Sequence, residues 1–239
     1  MTYVEFQAYL LQQGLTSHVT EMQFNRLLRF LNPLLIKYIA KNLASLVSLK
    51  LSSLFINDED VTALLALMKN NTHIIKLDLR NNRIHCESVE LLAKHIPLKE
   101  LNLTENHLDG MNLTAFFGHN NSLETLNIRS IKLAPITELS PSSLKSLSLS
   151  LDINEALLTV LANSALEELS IIPAYGLDLT VNDEVVGELL KNSKLRKLVI
   201  PENTLTDRGI ALLAAHTNLH TLDISHNNSL GDDNILKLA

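Results

Sequence analysis

One cysteine, no tryptophan and seven glycines in 239 residues leave this chain short of the residue types on which many small domains and enzyme motifs are built. A lone Cys86 forms no internal disulfide, so the folded form is expected in a reducing compartment and its stability must come from burial. The glycines, at 14, 110, 118, 176, 187, 209 and 231, are too scattered to write a P-loop or a dinucleotide-binding fingerprint. No uninterrupted apolar run approaches the length of a membrane span, and the first fourteen residues carry neither a basic start nor a long apolar stretch, so neither a spanning helix nor a Sec-type signal is expected. The formal net charge of -6 argues against general nucleic-acid binding.

What the chain has is leucine, 52 residues of it, together with 23 asparagines. Their spacing is periodic. The phrase L-x-x-L-x-L-x-x-N-x-L occurs in clean form at Ile74 to Ile84, Leu98 to Leu108, Leu195 to Leu205 and, with one extra residue, Leu219 to Leu230. Degenerate copies begin at Leu46, Leu123, Leu144 and Leu166, so the eight starts are 28, 24, 25, 21, 22, 29 and 24 residues apart. Such self-similarity marks a solenoid, in which each unit buries its apolar face only against its neighbours. The central L-x-L alternates as a short strand does, and the ninth-position residues Asn82, Asn106, Asn203 and Asn227 are placed to bond a turning backbone. That ladder is interrupted by Leu54, Ile131, Asp152 and Ala174, which predicts deviant turns in the first repeat and in the middle three.

Between the strands the periodicity becomes helical, over Asp58–Asn70, Glu87–His95, Asn112–His119, Asn154–Asn163, Asn182–Asn192 and Asp207–His216. The spacer 134–143 holds two prolines and has room for one helical turn. Residues 1–45 show no repeat and read as helices, with starts at Thr2/Glu5, Thr20/Gln23 and Asn32-Pro33, suited to covering the open end of a solenoid. The expectation is an α/β fold with an α-helical N-terminal cap (1–45) followed by a curved solenoid of about eight strand–helix repeats (46–239), with a parallel concave sheet and convex helices.

Catalytic chemistry is not legible. The nine histidines include no HExxH and no finger spacing with Cys86, so no metal or cofactor is expected. Cys86 follows His85 where a strand turn enters a helix, and no acid or base that would activate it stands beside it in sequence. Asp58-Glu59-Asp60, like Asp183-Glu184 and Asp207, reads as negative charge at a helix N-terminus. The chain is expected not to be an enzyme.

Recognition is expected on the strand face, from the third, fifth, seventh and eighth positions of each repeat. Repeats two to four place a mixed-charge field there: Lys76, Asp78, Arg80, Glu100, Asn102, Glu105 and Arg129. Repeats five to seven place Leu151, Ile172, Pro173, Val199 and Pro201 in the same register, and Tyr175 follows in the irregular turn of the sixth. Clustered apolar residues at exposed positions usually mark contacts. Leu151, Ile172, Tyr175, Val199 and Pro201 are therefore the expected energetic core of a partner site, with Arg80, Arg129 and Glu105 steering approach. Arg80 and Arg129 share a column two strands apart, about 10 Å.

On these motifs, from Leu46 to Leu238, the chain resembles leucine-rich repeat proteins of the ribonuclease-inhibitor-like class. With its low Cys and Trp, abundant Asn and Lys and helical front piece it is similar to the leucine-rich repeat effectors of intracellular bacterial pathogens. The resemblance implies a monomeric, non-catalytic module that binds a protein, a host protein in that case, after non-Sec delivery into the cytosol where it folds. Two alternatives stay open: an adaptor whose 24–46 segment resembles a degenerate F-box helix pair recruiting a ubiquitin-ligase scaffold, and a regulator of a small GTPase acting through Arg80 or Arg129.

Overall fold

The computed structural model describes residues 21–23, 46–68, 73–128, 143–150, 154–173 and 181–227. Within them every copy of the repeated phrase forms a strand at its central L-x-L: β2 (Ser48–Lys50), β3 (Lys76–Asp78), β4 (Glu100–Asn102), β5 (Thr125–Asn127), β6 (Ser146–Leu149), β7 (Glu168–Ile171), β8 (Lys197–Val199) and β9 (Thr221–Asp223). All are parallel and pair strictly in sequence order. The register never slips. Leu49, Leu77, Leu101, Leu126, Leu147, Leu169, Leu198 and Leu222 face one another down the sheet, and the third- and fifth-position columns align as the sequence predicts. The cause is burial with period two: a one-residue shift would turn each leucine to water.

A ninth strand, β1 (Glu21–Gln23), pairs parallel with β2 and forms the first edge of the sheet. The helix start expected at Thr20/Gln23 is therefore corrected to an edge strand. Unpaired N–H and C=O groups along β2 attract a partner strand more strongly than the weak local capping signal attracts a helix. The rest of the expected cap lies outside the described residues.

Among the described residues six helices stand on the other side of the sheet: α1 (Asp58–Met68), α2 (Cys86–His95), α3 (Leu113–His119), α4 (Glu155–Ala162), α5 (Asp183–Leu189) and α6 (Asp207–Ala215). Each lies within two or three residues of its predicted span, and at α3, α4 and α5 the predicted first residue is the N-cap. Asn112, Asn154 and Asn182 are N-cap residues whose side chains accept from Ala115, Leu157 and Val185 N–H at 2.9, 2.9 and 3.0 Å. Asn57 and Asp60 close a reciprocal capping box on α1 at 3.0 and 3.1 Å. The core is one continuous layer of leucines between sheet and helices, with Phe116 and Phe117 the bulkiest side chains in it.

The ninth-position asparagines join consecutive repeats. Asn82 is buried; its Oδ1 accepts from Leu54 and Ile56 N–H, each at 3.0 Å, in the preceding repeat, and its Nδ2 donates to Leu51 and Leu79 carbonyls at 2.9 and 2.8 Å. Asn106 repeats the pattern on Ile84 N–H and on Leu79 and Leu103 carbonyls. Asn203 accepts from Val181, and Asn227 accepts from Leu205 and donates to Ile200 and Ile224. Just before each of these asparagines the chain turns through the left-handed region: Asn81, Glu105, Glu202 and His226 all have φ between 54° and 59°. The first repeat deviates as expected. With Leu54 buried where an asparagine would stand, it uses two left-handed residues, Ser53 and Phe55. Ile131, Asp152 and Ala174 lie outside the described residues.

A second set of amides, unforeseen, ties the helix-to-strand returns. Asn120 donates to Ile96 O and accepts from Ser122, and Asn192 donates to Leu166 O and accepts from Lys194 N–H; both are buried. Asn102, placed on the strand face by its column, is only half-buried, and its Oδ1 accepts from Thr104 N–H at 3.1 Å. Replacing Asn82 or Asn106 by alanine is expected to cost about 1–3 kcal/mol in denaturant melts, because several buried backbone groups lose their partner at once. Asn102→Ala, losing one half-buried bond, should cost about 1 kcal/mol or less. Equal costs would show that the ladder amides are not what hold the turns.

Candidate interaction surfaces on the solenoid

Lys76 pairs with Glu100 across β3 and β4 at 2.7 Å, and Lys197 approaches Glu168 at 3.7 Å across β8 and β7. Ion pairs this exposed add little stability and chiefly set which charges face a visitor. Over β2 to β5 the face sinks into a depression of about 250 Å³ lined by Ser48, Lys50, Lys76, Asp78, Glu100, Asn102, Thr125 and Asn127. The hollow forms where short Ser and Thr side chains stand beside long charged ones in the third-position column. The columns carry that signal in side-chain length as well as in charge.

Arg80 and Glu105 lie just beyond β3 and β4, both exposed. Arg80 N–H donates to Asp78 Oδ1 at 3.0 Å, the same local bond that Thr104 makes to Asn102 and Ser225 to Asp223. At Asp223 the Ser225 backbone bond, supported by the Ser225 side chain, holds the carboxyl below its ordinary range. Glu105 sits at a left-handed backbone position, φ 59°. Arg129 lies outside the described residues.

At the other end, Val199 on β8 and Ile172 directly after β7 are half-exposed, and Pro201 follows two residues after Val199. Val199 is registered against Ser170 and Asp223, so a half-exposed apolar side chain stands between two polar neighbours. The structure brings Ile172, Val199 and Pro201 onto or directly after the adjacent β7 and β8 and keeps them three to five strand spacings, roughly 14–24 Å, from Arg80 and Glu105. Leu151 and Tyr175 lie outside the described residues. The seventh column is not uniformly exposed: Thr104 and Ser150 are buried there, at 7% and 0%.

The strand-to-helix edge holds groupings that the sequence separates. Asp58, at the start of α1, receives His85 N–H at 2.9 Å, His85 Nδ1 at 2.7 Å and Ser88 Oγ at 2.6 Å from the next repeat. Asp183 does the same for Thr206, taking its N–H and its hydroxyl. Gly209 holds the place in α6 that Ser88 holds in α2, and a Cβ there would meet Asp183 Oδ1 at 2.4 Å. The acidic helix starts thus serve two helices each. Burial pushes the Asp58 carboxyl up, but the bonds from His85 and Ser88 outweigh it and hold it below its ordinary value of 3.8.

A His–Asp pair beside Cys86 is an arrangement that the sequence, with 27 residues between His85 and Asp58, does not display. The thiol is not coupled to it. Cys86 Sγ lies 3.4 Å from Asp109 O as its donor, and burial first, then the charge of Glu87, pushes its pKa up, away from a reactive thiolate. Among the described residues no three His, Cys, Asp or Glu side chains converge as metal ligands, and no helix is long and apolar enough to cross a membrane.

A family model described as "Leucine Rich repeat" matches residues 70–93 and 215–239. With the sheet order and the ladder this makes the chain a leucine-rich repeat solenoid. No curated protein matches it in sequence. Among solved structures, internalin C2 from Listeria monocytogenes is similar over 84% of this chain and 80% of its own, at 25% identity and a TM-score of 0.52. The structure of Rad7 in complex with Elc1 from yeast is similar over 85% of this chain and 62% of that one, at 19% identity and a TM-score of 0.55. The TLR13–ssRNA13 complex is similar over 85% and 33%, at 19% and 0.54. The last two likenesses are likenesses of fold.

Because the Asp58 carboxyl titrates below its ordinary value when folded, its stabilising bonds are fully present above about pH 4 and are lost as the pH falls through the folded pKa. Asp58→Ala should lower the urea midpoint at pH 7, and the gap to the parent chain should narrow below about pH 4. A gap that stays constant down to pH 2.5 would show that the carboxylate charge is not what Asp58 contributes.

Proposed function

We propose that the chain is a non-catalytic module that binds a folded protein on its sheet face, and that the energetic centre of that interface is the apolar group of Ile172, Val199 and Pro201 together with Leu151 and Tyr175. One observation carries the reading: on a face otherwise rich in Ser, Thr, Asn and paired charges, Val199 on β8 and Ile172 directly after the neighbouring β7 stand half-exposed. Desolvated aliphatic anchors inside a polar rim supply most of the binding energy in protein interfaces, while rim charges set rate and register. Arg80, Arg129 and Glu105 take that second part. Nine strands about 4.8 Å apart give a face about 38 Å long, enough for an interface of ordinary size.

We further infer that the module acts as an effector of an intracellular bacterium, folding in a host cytosol and binding a host protein there. The likeness to internalin C2 over most of both chains supports this, as do the composition and the single cysteine. The net charge of -6 favours a protein partner over a nucleic acid.

Affinity capture from host cytosol, followed by a binding assay on the recovered partner, tests the site. Ile172→Asp and Val199→Asp should each weaken binding by about a hundredfold or more while leaving the melt cooperative, as expected for a buried anchor given a charge. Arg80→Glu should instead slow association, with the loss shrinking as salt rises. Full affinity in both folded Asp variants would move the site off this face.

A further inference from the structure

Three side chains of the fifth-position column repeat one local device. Asp78 Oδ1 accepts from Arg80 N–H at 3.0 Å, Asn102 Oδ1 from Thr104 N–H at 3.1 Å and Asp223 Oδ1 from Ser225 N–H at 3.0 Å. Each bond ties a side chain to the backbone two residues on, so its orientation is set before any ligand arrives. Asp78 and Asn102 are register partners on β3 and β4, about 4.8 Å apart, and Asn127 continues the row on β5.

With one oxygen so engaged, Asp78 keeps Oδ2 and Asn102 keeps Nδ2, and among the described residues neither atom has a hydrogen-bond partner. The Asn127 amide and the Thr125 hydroxyl have none either. All four side chains are half-buried and line the hollow over β2 to β5. Strand by strand, the row offers a carboxylate that accepts, an amide nitrogen that donates, and an amide that can do both.

The charges of the hollow cancel. Lys50 and Lys76 stand with Asp78 and Glu100, and Lys76 is bonded to Glu100 at 2.7 Å, so an ion of either sign gains little there. No aromatic side chain lines the hollow, so a nucleobase finds no ring to stack on. A neutral group that carries N–H and C=O together does match. In an extended chain one residue turns both to the same side, as the exchange of paired bonds in a sheet requires.

We propose that the hollow is a main-chain clamp for an extended segment of the protein bound on the sheet face. Asp78 Oδ2 accepts a backbone N–H, Asn102 Nδ2 donates to a backbone C=O, and the Asn127 amide continues the contact one strand on. The inference rests on the sheet face being the recognition face, and it adds a part that reads chain conformation rather than charge. Groups already oriented lose little freedom on binding, and a main chain offers its N–H and C=O only where it is extended and unpaired. β4 lies three strand spacings from β7, about 14 Å, so about four extended residues join the clamp to Ile172.

The probe is a capped, uncharged hexapeptide of alternating Thr and Ser, titrated into the isotope-labelled full chain and followed by side-chain amide NMR signals. Those of Asn102 and Asn127 are assigned from Asn102→Asp and Asn127→Asp. Both should move at about millimolar peptide, with less than about a twofold change in affinity between low and high salt, since the ligand carries no charge. The same peptide methylated at every backbone nitrogen should bind about tenfold more weakly, its donors being gone. Asn102→Asp keeps the oxygen that Thr104 N–H requires, as Asp78 and Asp223 show in the same column, but turns the donor into an acceptor. Asp78→Asn does the converse. Each should melt cooperatively and bind about tenfold more weakly, read on the Asn127 signal. Val199→Asp should leave the peptide shifts intact, so the peptide reports on the clamp and the partner assay on the apolar centre. The proposal is overturned if neither amide signal moves, if the methylated peptide moves them equally, if either folded row variant binds unchanged, or if high salt or Val199→Asp removes the shifts.

Discussion

Everything else in this molecule hangs on the side-chain amide at the ninth position. A parallel sheet with helices behind it requires each chain segment to leave its strand, turn sharply and enter a helix within a few residues. The turn's N–H and C=O groups then face the core with no ladder to join. A buried primary amide solves this because it both accepts and donates: Asn82 takes two N–H groups of one repeat and supplies carbonyls in two. Each amide is therefore a bond between repeats as much as within one. Leucine then fills the remaining space, and its burial with period two sets the strands at one register.

The strand face inherits its character from that arrangement. With apolar residues drawn inward at the fourth and sixth positions, the third and fifth are left for whatever a partner requires. Ser, Thr and Asn fill half of them, with paired Lys and Glu among the rest. Val199 breaks this pattern next to Ile172.

How much of this the sequence displays follows from the range of each interaction. Strands, helices and the alignment of columns were legible because they obey a short period in one residue type, and Leu77 sits against Leu101 for the same reason that Leu49 sits against Leu77. The left-handed turn at Glu202 was not legible, since no glycine marks it; the backbone is held there by the bond from Glu202 N–H to Ser225 O in the next repeat rather than by the residue's preference. The Asp58–His85 contact joins residues 27 apart, and the Asn120 and Asn192 amides sit outside the repeated phrase, so no local pattern announces them. At 21–23 the weak helix signal yielded to an open sheet edge. Of the partner site, the register of Ile172 and Val199 was legible, while the hollow over β2 to β5 depends on side-chain lengths compared across four strands.

The unbroken register of the sheet also dictates where such a chain can change length. One residue added inside a strand would invert every side chain beyond it and unseat the amide that follows, so insertions and deletions are confined to the spacers, whose repeats already range from 21 to 29 residues. The face that meets a partner is thus free to vary in chemistry but not in spacing. It is a printed page with fixed lines, on which new contacts are written by substitution alone.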